Sequence, residues 1–358
     1  MIIGIHANAN GKKDKTGVEK YADRLISNIS MLPEAKEHRF VLYTDKEISG
    51  QLNLSDNVLV KILQFPYLWT QLRLGLHLIF SRPNALFVPA HVLPILAHPK
   101  NSTVMIHDIA FELFPQTYPK FHRAYLRFTT KYALKHAKKI LVPSKNTFHD
   151  LMKFYKVDSR KIFVVPHGID ADTDSHASGK LNFPYFLYIG RLELKKNILG
   201  ILKAFDMFKA EHRTHHKLVL AGGFGFGREA ILDAVSKHRF KNDIVLSGWV
   251  NEDEKKSLLS GADIFLFPSL YEGFGFPILE AQAYGVPLVT SCISSMPEVA
   301  GDGAIFVNPH NPEEIKGAIA SILKNVELRE GLINKGKENL KNFSWQKCAR
   351  KTLEIITS

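Results

Sequence analysis

The sequence predicts an α/β protein of two doubly wound domains, each built on a mostly parallel sheet. Short apolar runs rich in β-branched residues alternate with helical patterns along the chain, as expected for repeated βαβ units. The length of 358 residues exceeds what one hydrophobic core usually organises. A polar stretch with the composition of a linker, residues 171–180, interrupts the alternation near mid-chain.

The apolar runs form two series, one on each side of this linker. The first series contains seven predicted strands, at residues 2–6, 40–43, 58–62, 85–88, 104–106, 140–142 and 162–165. The second contains six, at residues 186–189, 217–221, 244–246, 264–267, 287–290 and 304–307. We therefore expect a first domain of residues 1–170 and a second of residues 171–343. The remaining residues, 344–358, have a helical pattern, and Ser344 is suited to cap that helix.

Positive charge is concentrated in the first predicted domain. The chain has a net charge of +12, and residues 1–170 carry 24 Lys and Arg against 13 Asp and Glu. Such a domain attracts anionic partners such as phosphorylated acceptors, acidic lipid headgroups or nucleic acid, although a solvated surface without a partner is the alternative.

One predicted helix of this domain is both basic and aromatic. Basic residues recur at every fourth position, and aromatic residues recur at helical spacing between them: Arg123, Arg127, Lys131, Lys135 and Lys139, with Phe121, Tyr125, Phe128 and Tyr132. We expect the aromatic rings to pack into the core and the basic stripe to face outward, toward a membrane or an anionic acceptor.

Several classes of protein are disfavoured by composition. The opening apolar residues 1–5 are too few for a secretory signal peptide, and no run can span a bilayer, so we expect a cytoplasmic protein. Cys292 and Cys348 offer no disulfide framework and are both expected to be buried. His212, His215 and His216 cluster without an accompanying acidic motif, so no metal site is expected.

The most informative segment reads Glu-Gly-Phe-Gly-Phe-Pro-Ile-Leu-Glu, from Glu272 to Glu280. It joins an apolar strand to a helical pattern, which places it at the carboxyl edge of the sheet, where open α/β sheets bind ligands. Gly273 and Gly275 permit close approach of the backbone, and Pro277 suits the first turn of a helix. The amides of this turn can face an anion while the two carboxylates contact the same ligand.

A second glycine-rich segment lies at residues 222–227. Its spacing does not match the Gly-x-Gly-x-x-Gly pattern of dinucleotide-binding folds, and no acidic residue follows at the required distance. We interpret it as a loop beside a nucleotide site, with a flexible turn that makes no contacts as the alternative.

Five segments of the chain carry a recognisable pattern, in the order 106–108 (Ile-His-Asp), 165–170 (Val-Pro-His-Gly-Ile-Asp), 190–197 (Gly-Arg-Leu-Glu-Leu-Lys-Lys-Asn), 272–280 and 295–301 (Ser-Met-Pro-Glu-Val-Ala-Gly). Together they resemble the family 4 retaining glycosyltransferases of the GT-B fold. The resemblance implies two Rossmann-like domains facing across a cleft, with the helix 344–358 packed back on the first. It also implies transfer of a hexose from a nucleotide-diphosphate sugar, without a cofactor.

The resemblance further implies roles for individual residues. It assigns catalysis to His107, Arg191, Lys196 and Glu272. It assigns donor binding to Gly17, Arg191, Lys196, Gly273, Phe274, Gly275, Phe276 and Glu280. Within these sets, Arg191 and Lys196 hold the diphosphate without a metal ion, Glu280 accepts from the ribose hydroxyls and Glu272 orients the donor sugar. The segment around Gly17 lacks the double glycine common in the family.

The segment 190–197, which would form the phosphate-binding loop, and the Ile-His-Asp segment resemble those of mannosyltransferases that use GDP-mannose. UDP-sugars are the alternative donors. The implied acceptor is a saccharide or lipid-linked saccharide of cell-surface polysaccharide or lipopolysaccharide synthesis. From the positive charge and the basic stripe of the first domain, we expect peripheral contact with the inner face of an anionic membrane. A nucleotide-sugar epimerase or a sugar phosphorylase of the same fold is a further alternative, but no pyridoxal lysine site is recognisable. A nucleic-acid-binding protein would account for the charge and not for the acidic and glycine motifs, so nucleic acid is not an expected partner.

Overall fold

The computed structural model describes residues 1–7, 17–47, 54–65, 68–170 and 181–358. These residues form two compact units, one of Met1–Gly168 with Phe343–Ser358 and one of Ile169–Asn342. The predicted linker, residues 171–180, lies outside the described residues, as do the polar residues 11–15 that precede Gly17.

The first unit contains a seven-stranded parallel sheet in the order β3-β2-β1-β4-β5-β6-β7. Its strands are β1 Ile2–His6, β2 Arg39–Thr44, β3 Val58–Ile62, β4 Ala85–Val88, β5 Ser102–Met105, β6 Lys139–Val142 and β7 Ile162–Val164. Its helices are α1 Gly17–Ser30, α2 Gly75–Phe80, α3 Ala110–Leu113, α4 Lys120–His136 and α5 Lys145–Phe154, with a π-helical segment Thr70–Leu74 leading directly into α2. Every residue of β4, β5 and β6 is buried, as expected where helices cover both faces of a parallel sheet.

The second unit contains a six-stranded parallel sheet in the order β10-β9-β8-β11-β12-β13. Its strands are β8 Tyr185–Ile189, β9 Lys217–Ala221, β10 Ile244–Gly248, β11 Ile264–Phe267, β12 Leu288–Ser291 and β13 Ile305–Val307. Its helices are α6 Ile198–Glu211, α7 Arg228–Ser236, α8 Glu252–Gly261, α9 Phe276–Ala283, α10 Met296–Ala300, α11 Pro312–Lys324 and α12 Val326–Leu340. Because all strands are parallel, their carboxyl ends share one edge, where the loops after β8, β9, β10 and β11 lie close together.

Each of the thirteen predicted strands overlaps a strand of the structure, so the predicted fold class is confirmed. The largest shifts are of two residues, at the end of β10, which extends to Gly248, and at the start of β5, which begins at Ser102. Ser102 and Thr103 are fully buried there although both are polar. The Ser102 hydroxyl donates a hydrogen bond of 2.5 Å to the Pro99 carbonyl, which makes its burial tolerable.

The last helix, α13 Trp345–Thr357, packs on the first unit, mainly against α1. Ser344 caps it by accepting from the Lys347 amide. Gly168 allows close contact, because a side chain there would collide with the backbone of Trp345. On the exposed side, Arg350 Nε lies 3.0 Å from Glu34 Oε1.

The basic helix is shorter than predicted. Helix α4 ends at His136, and Lys139 belongs to β6, where it is buried and donates to the Ile355 carbonyl and to Ser358 Oγ. Lys139 therefore does not extend the basic stripe. The expectation that the aromatic residues pack into the core is also wrong for two of them, since Phe121 and Phe128 are exposed.

The two cysteines differ in burial. Cys348 is buried in α13, as expected, and burial raises the pKa of its thiol to about 12. Cys292, which follows β12, is exposed, so the expectation that both are buried is wrong for this residue.

Candidate nucleotide-sugar site

Three adjacent strands of the second sheet end in glycines with positive φ angles. These are Gly190 after β8, Gly222 after β9 and Gly248 at the end of β10, with φ of 148°, 141° and 70°. The approach is closest at Gly222, where a side chain would collide with the Gly190 carbonyl. The loops after β8 and β9 can therefore lie against each other only with glycine at this point.

The loop after β8 carries Arg191 and Lys196 and is tied to the neighbouring strand end. Asn197 adopts a left-handed conformation, with φ of 60°. Its side-chain amide donates to the Pro268 carbonyl at 3.1 Å and to the Pro309 carbonyl at 2.7 Å. The Leu270 amide donates to the Lys195 carbonyl at 2.9 Å. These bonds hold Lys196 beside the loop that follows β11.

Lys196 and Glu272 form an ion pair at this position. Lys196 Nζ lies 2.6 Å from Glu272 Oε1 and 2.7 Å from Oε2, so the ammonium contacts both carboxylate oxygens. Only 16% of the lysine side chain and 11% of the glutamate side chain are exposed. The sequence analysis placed these two residues in one site with separate roles, and the structure brings their charged groups into direct contact.

Two serines fix the backbone of the Glu272 loop. Ser294 Oγ donates to the Glu272 carbonyl at 2.7 Å and accepts from the Glu272 amide at 3.1 Å. Ser295 Oγ lies 2.9 Å from the Glu272 carbonyl and 2.8 Å from the Phe274 carbonyl. The hydroxyls occupy the carbonyl side of the loop and thereby hold the turn in one conformation ahead of α9.

Helix α9 begins directly after Gly275, which has a φ of 110°, and Pro277 occupies its first turn. Its amino end therefore follows the Glu272 loop, and the partial positive charge of a helix amino end favours an anionic ligand. The residues assigned to this turn, Gly273, Phe274, Gly275 and Phe276, lie together in this short segment. Glu280 is one turn further along the helix.

Glu280 is paired with a lysine that the sequence analysis did not identify. Lys255 Nζ, on α8, lies 2.9 Å from Glu280 Oε1 and 2.8 Å from Glu252 Oε2. Burial opposes the charge of Lys255, but the carboxylates of Glu280 and Glu252 outweigh it and raise the pKa of the lysine above its ordinary value. The ammonium therefore stays charged and holds the Glu280 carboxylate in place.

Arg191 differs from Lys196 in having no acidic partner among the residues that the structure describes. Its side chain is exposed, and its carbonyl accepts from the Tyr188 hydroxyl at 3.0 Å. A side chain at Gly225 would lie 2.6 Å from Arg191 Cδ, so the second glycine-rich segment packs against this arginine. The segment is bonded to the Arg191 loop through Leu192, whose amide donates to Gly223 and whose carbonyl accepts from Gly225.

His107 and Gly17 lie in the first unit. His107 follows β5, is almost fully buried, and donates from Nε2 to the Pro89 carbonyl at 2.9 Å. Burial, with a smaller contribution from His91, lowers the pKa of His107 to about 4. The ring is therefore neutral near pH 7. Gly17 is the first residue of α1 and is exposed.

Two family models match the sequence. The model of group 1 glycosyl transferases matches residues 170–339, and that of glycosyltransferase family 4 matches residues 34–173. The chain belongs to these glycosyltransferases.

Named relatives and a solved structure agree with this assignment. The glycosyltransferase is 29% identical over 265 residues to O-antigen chain mannosyltransferase B of Escherichia coli, which covers 71% of this chain and 69% of the relative. It is 29% identical over 254 residues to O-antigen chain mannosyltransferase RfbU of Salmonella typhimurium, covering 71% and 68%. The structure of HepE from Anabaena in complex with UDP-glucose superposes with a TM-score of 0.78 at 14% identity, covering 100% of this chain and 99% of that one. The fold is GT-B.

In this glycosyltransferase the sequence analysis did not identify three sets of side chains that hold the site in place. Lys255 lies 25 residues from Glu280, and no local pattern connects them. Ser295 is the first residue of the segment 295–301 that was recognised by resemblance, and Ser294 directly precedes it, but their bonds to the Glu272 loop were not foreseen. Asn197 belongs to the segment 190–197 and adopts a left-handed conformation in the structure. The signal in the sequence is the residue type, since asparagine tolerates this conformation better than most residues.

No group of three His, Cys, Asp or Glu side chains suited to a metal ion occurs within the described parts of the chain. In the histidine cluster, His216 Nε2 lies 3.4 Å from Asp263 Oδ2, and its ring stacks on Phe186. Over the same described residues, no helix combines the length and the apolar character that crossing a membrane requires.

Proposed function

We propose that this glycosyltransferase moves mannose from GDP-mannose to a saccharide or lipid-linked acceptor in the synthesis of a cell-surface polysaccharide or lipopolysaccharide. The observation that carries the proposal is the arrangement of Arg191, the Lys196–Glu272 pair and the amino end of α9 at one edge of the second sheet. The two mannosyltransferase relatives, both named for O-antigen chains, support mannose and the polysaccharide setting.

The nucleotide diphosphate is the first ligand that this edge would hold. Glu280, positioned by Lys255, accepts hydrogen bonds from the ribose hydroxyls. Arg191, which is exposed, binds phosphate oxygens, and Lys196 adds a second positive charge close by. The diphosphate gains negative charge as its bond to the sugar breaks, so fixed cations stabilise the transition state more than the bound donor.

Glu272 and the turn at Gly273, Phe274, Gly275 and Phe276 contact the donor sugar in this proposal. We propose a retaining reaction, in which the acceptor hydroxyl attacks from the face that the diphosphate leaves and no protein nucleophile is needed. Resemblance alone assigns His107 to the donor sugar and Gly17 to the phosphates. Because Nε2 of the neutral ring donates its only proton to the Pro89 carbonyl, Nδ1 of His107 is left as a hydrogen-bond acceptor, which suits contact with a sugar hydroxyl.

A UDP-sugar is the second candidate donor, and the likeness to the UDP-glucose complex of HepE favours it. Thermal unfolding with GDP-mannose, GDP, UDP-glucose and UDP separates the candidates, because a ligand of the native state raises the melting temperature by mass action. We expect GDP-mannose and GDP to give the larger shifts. If only UDP-glucose and UDP raise the melting temperature, the donor is a UDP-sugar and not GDP-mannose. If none of the four ligands raises it, nucleotide-sugar binding is contradicted.

Stereochemistry and metal dependence are tested separately. Proton NMR of the product formed from GDP-α-mannose should show the α-anomer, whereas a β-anomer would mean an inverting reaction. Turnover should persist in EDTA, because Arg191 and Lys196 supply the positive charge that a metal ion would otherwise bring. Loss of turnover that is restored by Mg²⁺ or Mn²⁺ would overturn the metal-independent mechanism.

We also propose that the protein works at the cytoplasmic face of the membrane, where its acceptor would be lipid-linked. The basic residues Arg127, Lys131 and Lys135 are exposed on α4 and can contact acidic headgroups.

A further inference from the structure

The helix formed by residues 70–80 carries apolar residues on its outer side. Leu74 and Leu78 are fully buried, but Leu76 is 48% exposed and Phe80 is 89% exposed. The exposed large side chains of this helix follow helical spacing: Leu72, Leu76, Ile79 and Phe80. A helix on the surface of a globular protein usually presents polar residues there. The helix is therefore apolar on two opposite sides.

This apolar side continues onto the segment that follows β4. Gln71 Oε1 accepts from the Ile95 amide at 2.8 Å, and a side chain at Gly75 would lie 3.0 Å from Leu96 Cβ. Leu96 itself is half exposed. The segment thus borders the 70–80 helix on one flank and places another exposed leucine beside it.

Helix α4 borders the same segment on its other flank. The Tyr132 hydroxyl donates to the Ile95 carbonyl at 3.2 Å. Phe128 precedes Tyr132 by one turn, and Phe121 lies two turns before Phe128, so both rings fall on the same flank of α4 as Tyr132. Phe121 is 85% exposed and Phe128 is 57% exposed.

We call the exposed apolar residues of the 70–80 helix, of the segment after β4 and of α4 the α2–α4 surface: Leu72, Leu76, Ile79, Phe80, Leu96, Phe121 and Phe128. Exposed apolar groups of this kind, when they are contiguous, indicate an interaction site. Lys131 and Lys135 are exposed on α4 next to the phenylalanines, so a basic row lines the apolar residues.

Charge selects among the possible occupants of this surface. Residues 59–138 contain ten Lys and Arg and two acidic residues, Asp108 and Glu112. Glu112 is bound to Arg127 at 2.9 Å and accepts from the Tyr155 hydroxyl at 2.6 Å. A second copy of the chain would bring two basic regions together, which is unfavourable, whereas a surface of acidic phospholipids is complementary in charge and also accepts apolar side chains.

We propose that the α2–α4 surface inserts its leucines and phenylalanines into the interfacial region of an anionic bilayer, while Lys131 and Lys135 contact the lipid phosphates. The inference deepens the proposed function, from which it takes the membrane location of the acceptor. It differs from headgroup contact by basic residues alone, because apolar burial persists at ionic strengths that screen exposed charges.

Co-sedimentation of the full chain with phosphatidylglycerol-containing vesicles tests the insertion. We expect part of the parent protein to remain bound at high salt. Leu72→Ser combined with Leu76→Ser should lower that salt-resistant partitioning by roughly tenfold or more, because the exposed areas of the two leucines together approach that of one leucine, whose burial from water contributes about that factor. Lys131→Glu combined with Lys135→Glu should instead reduce binding mainly at low salt.

Two variants complete the experiment. Met31→Ser combined with Val326→Ser removes apolar groups that are similarly exposed but lie outside the surface, and it should bind as the parent does. Leu76→Trp places a fluorophore in the surface, and its emission should shift to the blue and be quenched by brominated lipid when vesicles are added.

The inference is overturned if the parent leaves the vesicles completely at high salt, or if the tryptophan emission does not change. It is equally overturned if sedimentation velocity shows a dimer that the leucine variant abolishes, since a second copy would then cover the surface. The thermal shift by GDP-mannose is measured for the same proteins in solution. A parent that binds vesicles without that shift would refute the proposed donor and leave the insertion standing.

Discussion

The side chains at the carboxyl edges of the two sheets differ in charge. At the second sheet, five charged residues lie at or near one edge: Arg191, Lys196, Lys255, Glu272 and Glu280. At the first sheet, His107 lies against His91, His167 and Tyr21, with ring centroids 4.9 to 5.9 Å from its own. Burial is the main cause that lowers the pKa of all three histidines.

This difference indicates what each edge can do. Paired charges that remain ionised suit the recognition of a ligand that carries a diphosphate, because they are already oriented before it arrives. A group of neutral rings cannot supply charge, but it can form hydrogen bonds and apolar contacts. Within the second edge there is a further contrast, since Arg191 lacks, among the residues that the structure describes, the acidic partner that Lys196 has.

Replacing the cations of the second edge should have the largest effect. Arg191→Ala should lower kcat by roughly a hundredfold or more, since it removes a charge that stabilises the leaving diphosphate. Lys196→Ala should have a comparable effect on kcat and should also lower the melting temperature, because it leaves the Glu272 carboxylate without its ammonium. Arg191→Ala should leave the melting temperature nearly unchanged.

The control is Arg191→Lys, which keeps the charge and loses bidentate binding, and which should recover part of the turnover. A raised KM with unchanged kcat in both alanine variants would mean that the two cations bind the ground state only.

The histidines of the first unit should make the protein sensitive to acid. Burial lowers the pKa of His107 in the folded protein to about 4, from the ordinary value of 6.5. The unfolded chain therefore binds more protons, and the free energy of unfolding should fall as the pH drops from about 6.5 toward 4, by on the order of 3 kcal/mol for this residue. Urea unfolding at several pH values measures the slope.

His107→Gln should flatten that slope, and His122→Gln, which replaces an exposed histidine of the same unit, should not. Equal slopes in the parent and in His107→Gln would show that this ring is not what confers acid sensitivity.

Removing the ribose partner should weaken donor binding by an intermediate amount. Glu280→Ala deletes a charged acceptor, and hydrogen bonds to charged groups contribute roughly 1.5–3 kcal/mol. Calorimetry with GDP gives the affinity directly. An unchanged affinity in a folded variant would remove Glu280 from the nucleotide site.

The smallest effect should come from the lysine that positions this glutamate. Lys255→Met keeps the length of the side chain and removes the ammonium that holds Glu280. We expect a loss of affinity for GDP of about tenfold or less, because Glu280 remains but is less well oriented. In a protein that already carries Glu280→Gln, Lys255→Met should lower the affinity for GDP little further. If the two losses of affinity were additive, Lys255 would not act by positioning Glu280.

The strands and the site segments could be predicted from sequence because their signals are local. A run such as Ile264–Phe267 is apolar at every position, and Glu272 to Glu280 contains its own turn and helix start. Dependence on local signals also explains why Lys139 was misassigned. Its four-residue spacing continued the pattern of the basic stripe, although the helix had ended at His136. Neither the spacing nor the composition shows that the chain becomes extended at Ala137.

Contacts between distant segments could not be predicted in this way. The pairs Lys196–Glu272 and Lys255–Glu280 are separated by 76 and 25 residues. The first pair forms because the neighbouring strands β8 and β11 bring their loops together, and the second joins helix α8 to helix α9. Phe121 and Phe128 were expected in the core because aromatic side chains are usually buried there. Their exposure depends on which flank of α4 meets the sheet, and the spacing alone allowed both possibilities.

The return of α13 to the first unit has a consequence for synthesis on the ribosome. Helix α13 supplies buried side chains to the first unit, among them Trp345, Ala349 and Ile356. All the residues of the second unit are translated before it. The first unit therefore cannot complete its folding while the second unit is being translated, because the face of α1 that packs against α13 is still uncovered. The usual order, in which the first domain completes its folding first, is reversed here, and an interrupted translation would leave the earlier unit unfinished and prone to aggregation.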